Sequence, residues 1–154
     1  TRELLERSKG NRWVVPVVVV LMGASQLWPS RAVLADVPSP RYVAYREAAE
    51  HLTGLVASEQ TVAVVEIGIV SHFSKVRILD LVGLVHPEIG PHLAEGDVTW
   101  PVREWKPEFI LLHDPPWPSI ETRLVNAEWF SSEYQVKQTF SGPDPYGLVL
   151  YSRN

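Results

Sequence analysis

The sequence contains no cysteine and none of the short motifs that mark a complete catalytic site. Without cysteine, disulfide bonds, thiolate metal sites and cysteine nucleophiles are excluded. The phosphate-cradling motifs GxGxxG and GxxxxGK followed by Ser or Thr do not occur, and the GxSxG motif of serine hydrolases is also missing. We therefore predict that this chain carries no catalytic residue of its own and needs no cofactor.

Basic residues are scarce beyond the N-terminal segment. The first 35 residues hold five basic and two acidic side chains, whereas the remainder holds nine basic and sixteen acidic ones. An acidic body repels phosphate backbones, and no basic stripe with interleaved aromatic residues occurs, which excludes nucleic acid as a partner. Hydrophobic residues make up 45% of the 154 positions, which is enough to build the core of one globular domain.

The longest apolar run extends from Trp13 to Trp28, 16 residues without a charge. As a helix it spans about 24 Å, and extension toward Leu34 with snorkelling of Arg12 brings it near the ~30 Å of a bilayer core. Tryptophan at both ends is typical of the aromatic belts at membrane interfaces, and the basic residues before the run predict a cytoplasmic N-terminus. The run is therefore typical of a membrane helix.

These features predict a chain anchored in the cell membrane, with lipid as one partner. Residues 1–12 form a cytoplasmic juxtamembrane segment, residues 13–34 the membrane helix and its exit, residues 35–41 a linker, and residues 42–154 an α/β domain. Everything from residue 35 onward is then extracytoplasmic. Two other interpretations of the run remain open: a cleaved signal peptide ending before Asp36, and a buried core strand or helix.

Hydrophobic periodicity predicts alternating helices and strands in the remainder. Ser39 and Pro40 are a typical helix start, and apolar residues at spacings of three and four continue to Val56. Three nearly all-apolar runs are typical of strands buried on both faces of a parallel sheet. These runs are residues 61–68, 76–84 and 109–113.

The C-terminal part of the chain predicts further helices and a hairpin. We expect a broken helical segment ending at Gly96, a helix from Pro118 to Trp129, and two antiparallel strands from YQVKQTF and LVLYS. The first of these strands alternates, with one side made of Tyr134, Val136, Gln138 and Phe140. The predicted fold is therefore an α/β, three-layer-type sandwich with a mixed, mainly parallel sheet and a C-terminal antiparallel hairpin, preceded by one membrane helix.

Acidic residues lie near the carboxyl ends of the three apolar runs, where open α/β sheets bind ligands. We predict that Glu66, Asp80, His86 and Asp114 bind a ligand, with the carboxylates accepting hydrogen bonds from hydroxyl groups as in sugar-binding sites. A structural interpretation remains open, in which these acids cap helices and loops, and Glu66 pairs with Lys75 or Arg77.

A metal site is not predicted. His86 and His92 are six residues apart with two prolines and a glycine nearby, which does not match the spacing of two ligands on one helical face.

Several short motifs between residues 42 and 153 occur together. They are YREAAEHL, the acid-Ile-Gly at Glu66, Asp80 followed by Gly83-Leu84 and Pro87, Lys106-Pro107-Glu108 before an apolar strand, and YGLVLYSR. This set resembles the C-terminal extracytoplasmic domain of bacterial polytopic membrane glycosyltransferases of the GT-C type, related to protein mannosyltransferases and aminoarabinose transferases. The tyrosine pair expected after Gly68 is replaced by His72-Phe73.

The resemblance implies a setting for the chain. The apolar run would be the last membrane helix of a longer protein, which transfers a sugar from a polyprenyl-phosphate donor outside the cytoplasm. The family's catalytic acid lies in an early external loop that this chain does not contain. The domain would then assist binding of the donor or of a carbohydrate acceptor. Two alternatives remain open: an anchored or secreted carbohydrate-binding or envelope-binding module, and a purely structural interaction domain.

Overall fold

The computed structural model describes residues 16–25, 40–142 and 147–154. The chain divides into two compact units, Thr1–Val37 and Pro38–Asn154. In the first unit residues 16–25 are helical and their side chains are exposed. Among the described residues, no helix combines the length and the apolar character needed to cross a membrane. Most of the predicted membrane segment, residues 13–34, lies outside the described residues, so that segment stays a prediction.

The second unit is an α/β fold. Its described helices are α1 (Pro40–Leu55), α2 (Ile67–Ser74), α3 (Ile89–Ala94), α4 (Trp100–Trp105), α5 (Glu121–Val125) and α6 (Phe130–Glu133). Its described strands are β1 (Thr61–Val64), β2 (Arg77–Asp80), β3 (Phe109–Asp114), β4 (Tyr134–Phe140) and β5 (Gly147–Arg153).

The five strands form one mixed sheet in the order β2-β1-β3-β5-β4. β1 pairs in parallel with both β2 and β3, so the three apolar runs are parallel neighbours as predicted. β5 pairs antiparallel with β3 and with β4, which confirms the C-terminal hairpin. Parallel and antiparallel pairings are thus equal in number, so the sheet is mixed without being mainly parallel.

Each face of the sheet carries its own hydrophobic cluster, because successive residues of a strand point to opposite faces. The first cluster packs α1 and α2 against the sheet, and its members include Ala48, Leu52, Val62, Val64 and Leu111. The second cluster covers the opposite face with α4 and α5, and its members include Ala63, Val102, Ile110, Leu112 and Leu124. β1 and β3 are therefore buried on both sides, as their unbroken apolar sequences predict.

The two crossover connections lie on opposite faces. From β1 the chain passes through α2 on the first-cluster side to β2, and from β2 it returns through α4 on the second-cluster side to β3. At the carboxyl edge the chain leaves β1 toward α2 on the first-cluster side and leaves β3 toward α5 on the second-cluster side, so the outgoing connections diverge between β1 and β3. In open α/β sheets this divergence creates the crevice in which ligands bind.

The first two apolar runs end as strands earlier than predicted. β2 stops at Asp80 because the carboxylate of this fully buried residue accepts hydrogen bonds from the backbone N–H groups of Val82 and Val85, at 2.9 Å each, and turns the chain. Gly83 in this turn has φ +79°, which only glycine adopts readily, and a Cβ there would lie 3.3 Å from the carbonyl oxygen of His86. β1 likewise stops at Val64.

The predicted helix from Pro118 to Trp129 is shorter than expected. α5 begins at Glu121, and a turn with a hydrogen bond from the Phe130 N–H to the Ala127 carbonyl separates it from α6. The carboxylate of Glu121 accepts the Trp117 N–H at 2.8 Å, which holds the three-proline segment before α5 in a loop.

β4 does not keep the predicted alternation. A bulge lies between Val136 and Gln138, and it places one extra residue opposite β5. Tyr134 therefore joins the second cluster and Phe140 the first, while the two residues beside the bulge are exposed. The predicted alternation is therefore wrong beyond the bulge, because the extra residue turns the side chains that follow it to the opposite face of the sheet.

The Lys106-Pro107-Glu108 motif clamps three strands together. The Glu108 carboxylate accepts the N–H of Thr61 at 2.9 Å and its hydroxyl at 3.1 Å, which fixes the start of β1. The Arg153 guanidinium at the end of β5 donates to Glu108 and to the Lys106 carbonyl, and the Tyr134 hydroxyl donates to the Pro107 carbonyl. This motif therefore has a structural role.

Replacement of Glu108 by alanine should lower the free energy of unfolding by about 1–2 kcal/mol, because three hydrogen bonds to a charged group are lost. Burial opposes ionisation of Glu108, but the hydrogen bonds from Thr61 and the charge of Arg153 outweigh it and lower its pKa. The stabilisation is therefore present above the unfolded-state pKa of about 4.3 and is lost as the pH falls through the folded-state pKa.

Urea denaturation across the acidic range measures this effect. Glu104→Ala is the matched control, since Glu104 is exposed on α4 and should change stability by less than about 0.5 kcal/mol. Equal stabilities of the two variants, or a difference that does not shrink in acid, would contradict the clamp.

Candidate functional site

Glu66 and His113 lie side by side at the crevice between β1 and β3. Glu66 follows β1 by two residues and is the N-cap of α2, and His113 is the last buried residue of β3. The strands are in register at Val64 and Leu111. Glu66 and His113 each come two residues later, so they lie beside each other at the end of these strands. The topology alone therefore brings them together at the edge where ligands bind.

The Glu66 carboxylate is held by two side chains of α1. Arg41 donates from Nη1 to Oε1 at 2.9 Å, and the Tyr45 hydroxyl donates to Oε2 through a short hydrogen bond. The predicted alternative, an ion pair with Lys75 or Arg77, is wrong because α1 lies over the end of β1 and supplies the cation instead. The Glu66 side chain remains 29% exposed, so it is still open to a ligand.

A buried chain of hydrogen bonds extends from Glu66 into the core. The Tyr45 hydroxyl also contacts Nε2 of His113, and Nδ1 of His113 lies 2.7 Å from Oε1 of Glu121. The second oxygen of Glu121 accepts the backbone N–H groups of His113 and Trp117. Glu121 is fully buried, and the Trp117 ring stacks on His113 with centroids 3.9 Å apart.

We refer to Glu66, Tyr45, His113 and Glu121 as the polar relay. Its three hydrogen bonds need three protons. If both carboxylates are ionised, Tyr45 donates to Glu66 and His113 donates from both ring nitrogens as a cation. If His113 is neutral, it accepts from Tyr45, and Glu66 donates its proton to Tyr45. The two arrangements hold the same number of protons.

The Tyr45 phenol stays protonated in this environment. Burial, together with the hydrogen bond to the Glu66 carboxylate and its charge, raises the pKa of Tyr45 well above its ordinary value. Tyr45 therefore connects Glu66 with His113 as a hydrogen-bonded hydroxyl, and it does not act as a base.

A cavity of about 160 Å³ opens onto the outer end of the relay. It is lined by Arg41, Tyr45, Glu66, Gly68 and Ile69. Among the lining residues, the Arg41 guanidinium and the Glu66 carboxylate form an ion pair of 2.9 Å. The cavity thus presents donors and acceptors without an excess of either charge.

The other predicted ligand-binding residues do not join Glu66 at this cavity. Asp80 is fully buried and holds the turn after β2, as its structural interpretation predicted. His86 accepts the Asp80 N–H at 3.4 Å and lines a different cavity beside Trp105. Asp114 is exposed at the end of β3, and its side chain makes no hydrogen bond within the part of the chain that the structure describes.

The inner members of the relay were not predicted from the sequence. Tyr45 falls on the apolar face of α1, and a buried tyrosine needs a partner for its hydroxyl, so this position gave a weak signal. Glu121 lies eight residues beyond His113 near a predicted helix start, where an acid is ordinary. No local pattern marks it as buried.

The described residues contain no candidate metal site. Within residues 16–25, 40–142 and 147–154, no three histidine or acidic side chains converge closely enough to hold a metal ion. The carboxylates of the relay are already occupied by Arg41, Tyr45, His113 and backbone N–H groups.

Fold and site together define a mixed-sheet α/β domain with a carboxylate-centred polar site at its topological switch point. Residues 35–151 match the family described as a domain of unknown function (DUF8728), and the chain belongs to that family. No curated protein and no solved structure matches the chain.

Asp80→Ala should destabilise the domain by roughly 3 kcal/mol, because a fully buried acceptor of two backbone hydrogen bonds is removed. Urea denaturation measures the loss. Asp114→Ala is the matched control and should cost less than about 0.5 kcal/mol, since Asp114 is exposed. Equal effects of the two substitutions would show that Asp80 does not hold the turn.

Tyr45→Phe should lower the free energy of unfolding by about 1–3 kcal/mol, because His113 and Glu66 each lose a buried partner. Because the pKa of Tyr45 is raised on folding, its contribution to the free energy of unfolding decreases as the pH rises. The stabilisation is fully present below the unfolded-state pKa of about 10 and is lost as the pH rises toward the folded-state value.

The difference between the wild type and Tyr45→Phe should therefore shrink in alkali when both are followed by chemical denaturation. Tyr42→Phe serves as the control, since Tyr42 is half-buried on the same helix and lies outside the relay. A difference that grows with pH would contradict the assignment.

Proposed function

We propose that this chain is the C-terminal part of a membrane glycosyltransferase that uses a polyprenyl-phosphate sugar donor, and that its α/β domain binds the carbohydrate of the acceptor or donor without catalysing transfer. The observation that carries the proposal is the partly exposed Glu66 carboxylate, held beside Arg41 and Tyr45 at a cavity at the topological switch point.

The ion pair of Arg41 with Glu66 leaves no excess charge at the cavity, which favours a neutral ligand with many hydroxyl groups. A phosphate group would meet the Glu66 carboxylate, and a cation would meet the Arg41 guanidinium. A hydroxyl both donates and accepts, so it can bind Glu66 in either proton arrangement of the relay. The cavity of about 160 Å³ has room for one sugar ring.

The motifs behind the resemblance support an accessory role. Asp80 and Gly83 shape the turn after β2, and Glu108 clamps the strands. These residues build the fold, and among the described residues no second carboxylate lines the Glu66 cavity beside Glu66. The transfer step is therefore assigned to the part of the enzyme that carries the family's catalytic acid.

The finer architecture and the location belong to the same proposal. The domain is a three-layer sandwich that follows one membrane helix within residues 13–34, and it faces the extracytoplasmic side. Side chains from Val17 to Met22 are 46% to 67% exposed, which suits contact with lipid. Release of the chain from membranes by alkaline carbonate would contradict the anchor.

Glu66→Gln tests the proposed ligand site. The full chain in detergent micelles, labelled with ¹⁵N, is titrated with methyl α-mannoside, methyl β-galactoside and methyl β-arabinoside. At least one glycoside should shift the Glu66 backbone amide saturably. Glu66→Gln should weaken that binding by about tenfold or more, the loss expected for a hydrogen bond to a charged group.

Glu47→Gln is the matched control, because Glu47 is exposed on α1 and lies outside the Glu66 cavity. It should bind like the wild type. The site is ruled out if no glycoside shifts the Glu66 amide, or if Glu66→Gln binds as tightly as the control.

A further inference from the structure

A second cavity, of about 380 Å³, lies beside the edge strand β2 and is larger than the Glu66 cavity. The two cavities share no lining residue. The second cavity is bounded by the edge strand, by the segment that follows it and by the end of α4. Its lining includes Arg77, Ile78, Leu79, His86, Glu88 and Trp105.

Neighbouring rings fix the Trp105 ring in place. The centroid of the Trp105 ring lies 5.3 Å from that of His86, with the two rings tilted by 51°, and 5.3 Å from that of Trp100, with an edge contact at 71°. His92 in turn stacks on Trp100 with centroids 3.9 Å apart. A ring held in this way offers a flat apolar surface and loses little freedom when a ligand binds.

The polar groups of the cavity are available for binding. Neither the Arg77 guanidinium nor the Glu88 carboxylate forms an ion pair or a side-chain hydrogen bond within the described residues. His86 accepts the Asp80 N–H through Nδ1, so its proton resides on Nε2, which can donate to a ligand. The cavity thus combines one aromatic surface with a cation, an anion and a neutral donor.

We propose that this cavity is a second carbohydrate-binding site. The apolar face of a sugar ring stacks on Trp105, and its hydroxyl groups bind Arg77, Glu88 and Nε2 of His86. A few convergent polar groups beside an aromatic ring are the usual lining of a small-molecule site. The inference rests on the proposed function for the class of ligand, but it uses a separate set of residues.

Addition of an extended peptide to β2 is a weaker alternative. β2 is an edge strand, and such strands can accept another strand. It has only four residues, however, and the turn held by Asp80 ends it. A short edge next to an aromatic ring suits a ring-shaped ligand better than a strand.

The titration of the ¹⁵N-labelled full chain with the same three methyl glycosides tests the inference through a different signal, the indole N–H of Trp105. At least one glycoside should shift this signal saturably. Arg77→Gln and Glu88→Gln should each weaken the response by about tenfold. Both positions are exposed, so these variants should fold normally. Arg123→Gln and Glu128→Gln are matched controls, since both residues are exposed and line neither cavity.

The two sites succeed or fail independently. A response at Trp105 without one at Glu66 supports the second site and removes the first. A response at Glu66 alone overturns the second site and leaves the first. Unchanged binding in both Arg77→Gln and Glu88→Gln also overturns it. An apolar peptide that shifts the β2 amides, where no glycoside shifts Trp105, overturns it in favour of strand addition.

Discussion

The buried carboxylate of Glu121 is the constraint on which the site depends. A charge with no exposure to water costs several kcal/mol unless it is paired and hydrogen-bonded. Glu121 meets that requirement with two backbone N–H groups and the His113 ring. His113 then needs a partner for its second nitrogen, which Tyr45 supplies, and Tyr45 leads to Glu66. The need to satisfy one buried acid thus determines the position of the whole relay.

The relay joins parts of the fold that are far apart in sequence. Tyr45 belongs to α1, Glu66 to the end of β1, His113 to the end of β3 and Glu121 to α5. These elements lie on both faces of the sheet, so the relay ties the two hydrophobic clusters together at the carboxyl edge. A ligand at the Glu66 cavity would therefore contact the end of a network that reaches the core.

Local sequence patterns predicted the strands and the main helix, because these elements form from the preferences of residues that are close together in the sequence. The apolar runs around Val62 and Ile110 and the helix start at Pro40 needed no distant partner. The bulge in β4 depends on pairing with β5, so no pattern in YQVKQTF marked it. Glu66 was predicted from its place near the carboxyl end of an apolar run, whereas Tyr45 and Glu121 acquire their roles only when distant elements meet. Asp80 has the same sequence setting as Glu66, but its carboxylate is used by its own turn.

A double-mutant cycle on Tyr45→Phe and Glu121→Gln measures whether the relay acts as one network, because the two residues share no hydrogen bond with each other and both contact His113. We expect that the losses in the free energy of unfolding are not additive, with a coupling energy of about 1 kcal/mol or more. Losses that add within about 0.3 kcal/mol would mean that the hydrogen bonds act independently, and the relay as a single network would be contradicted.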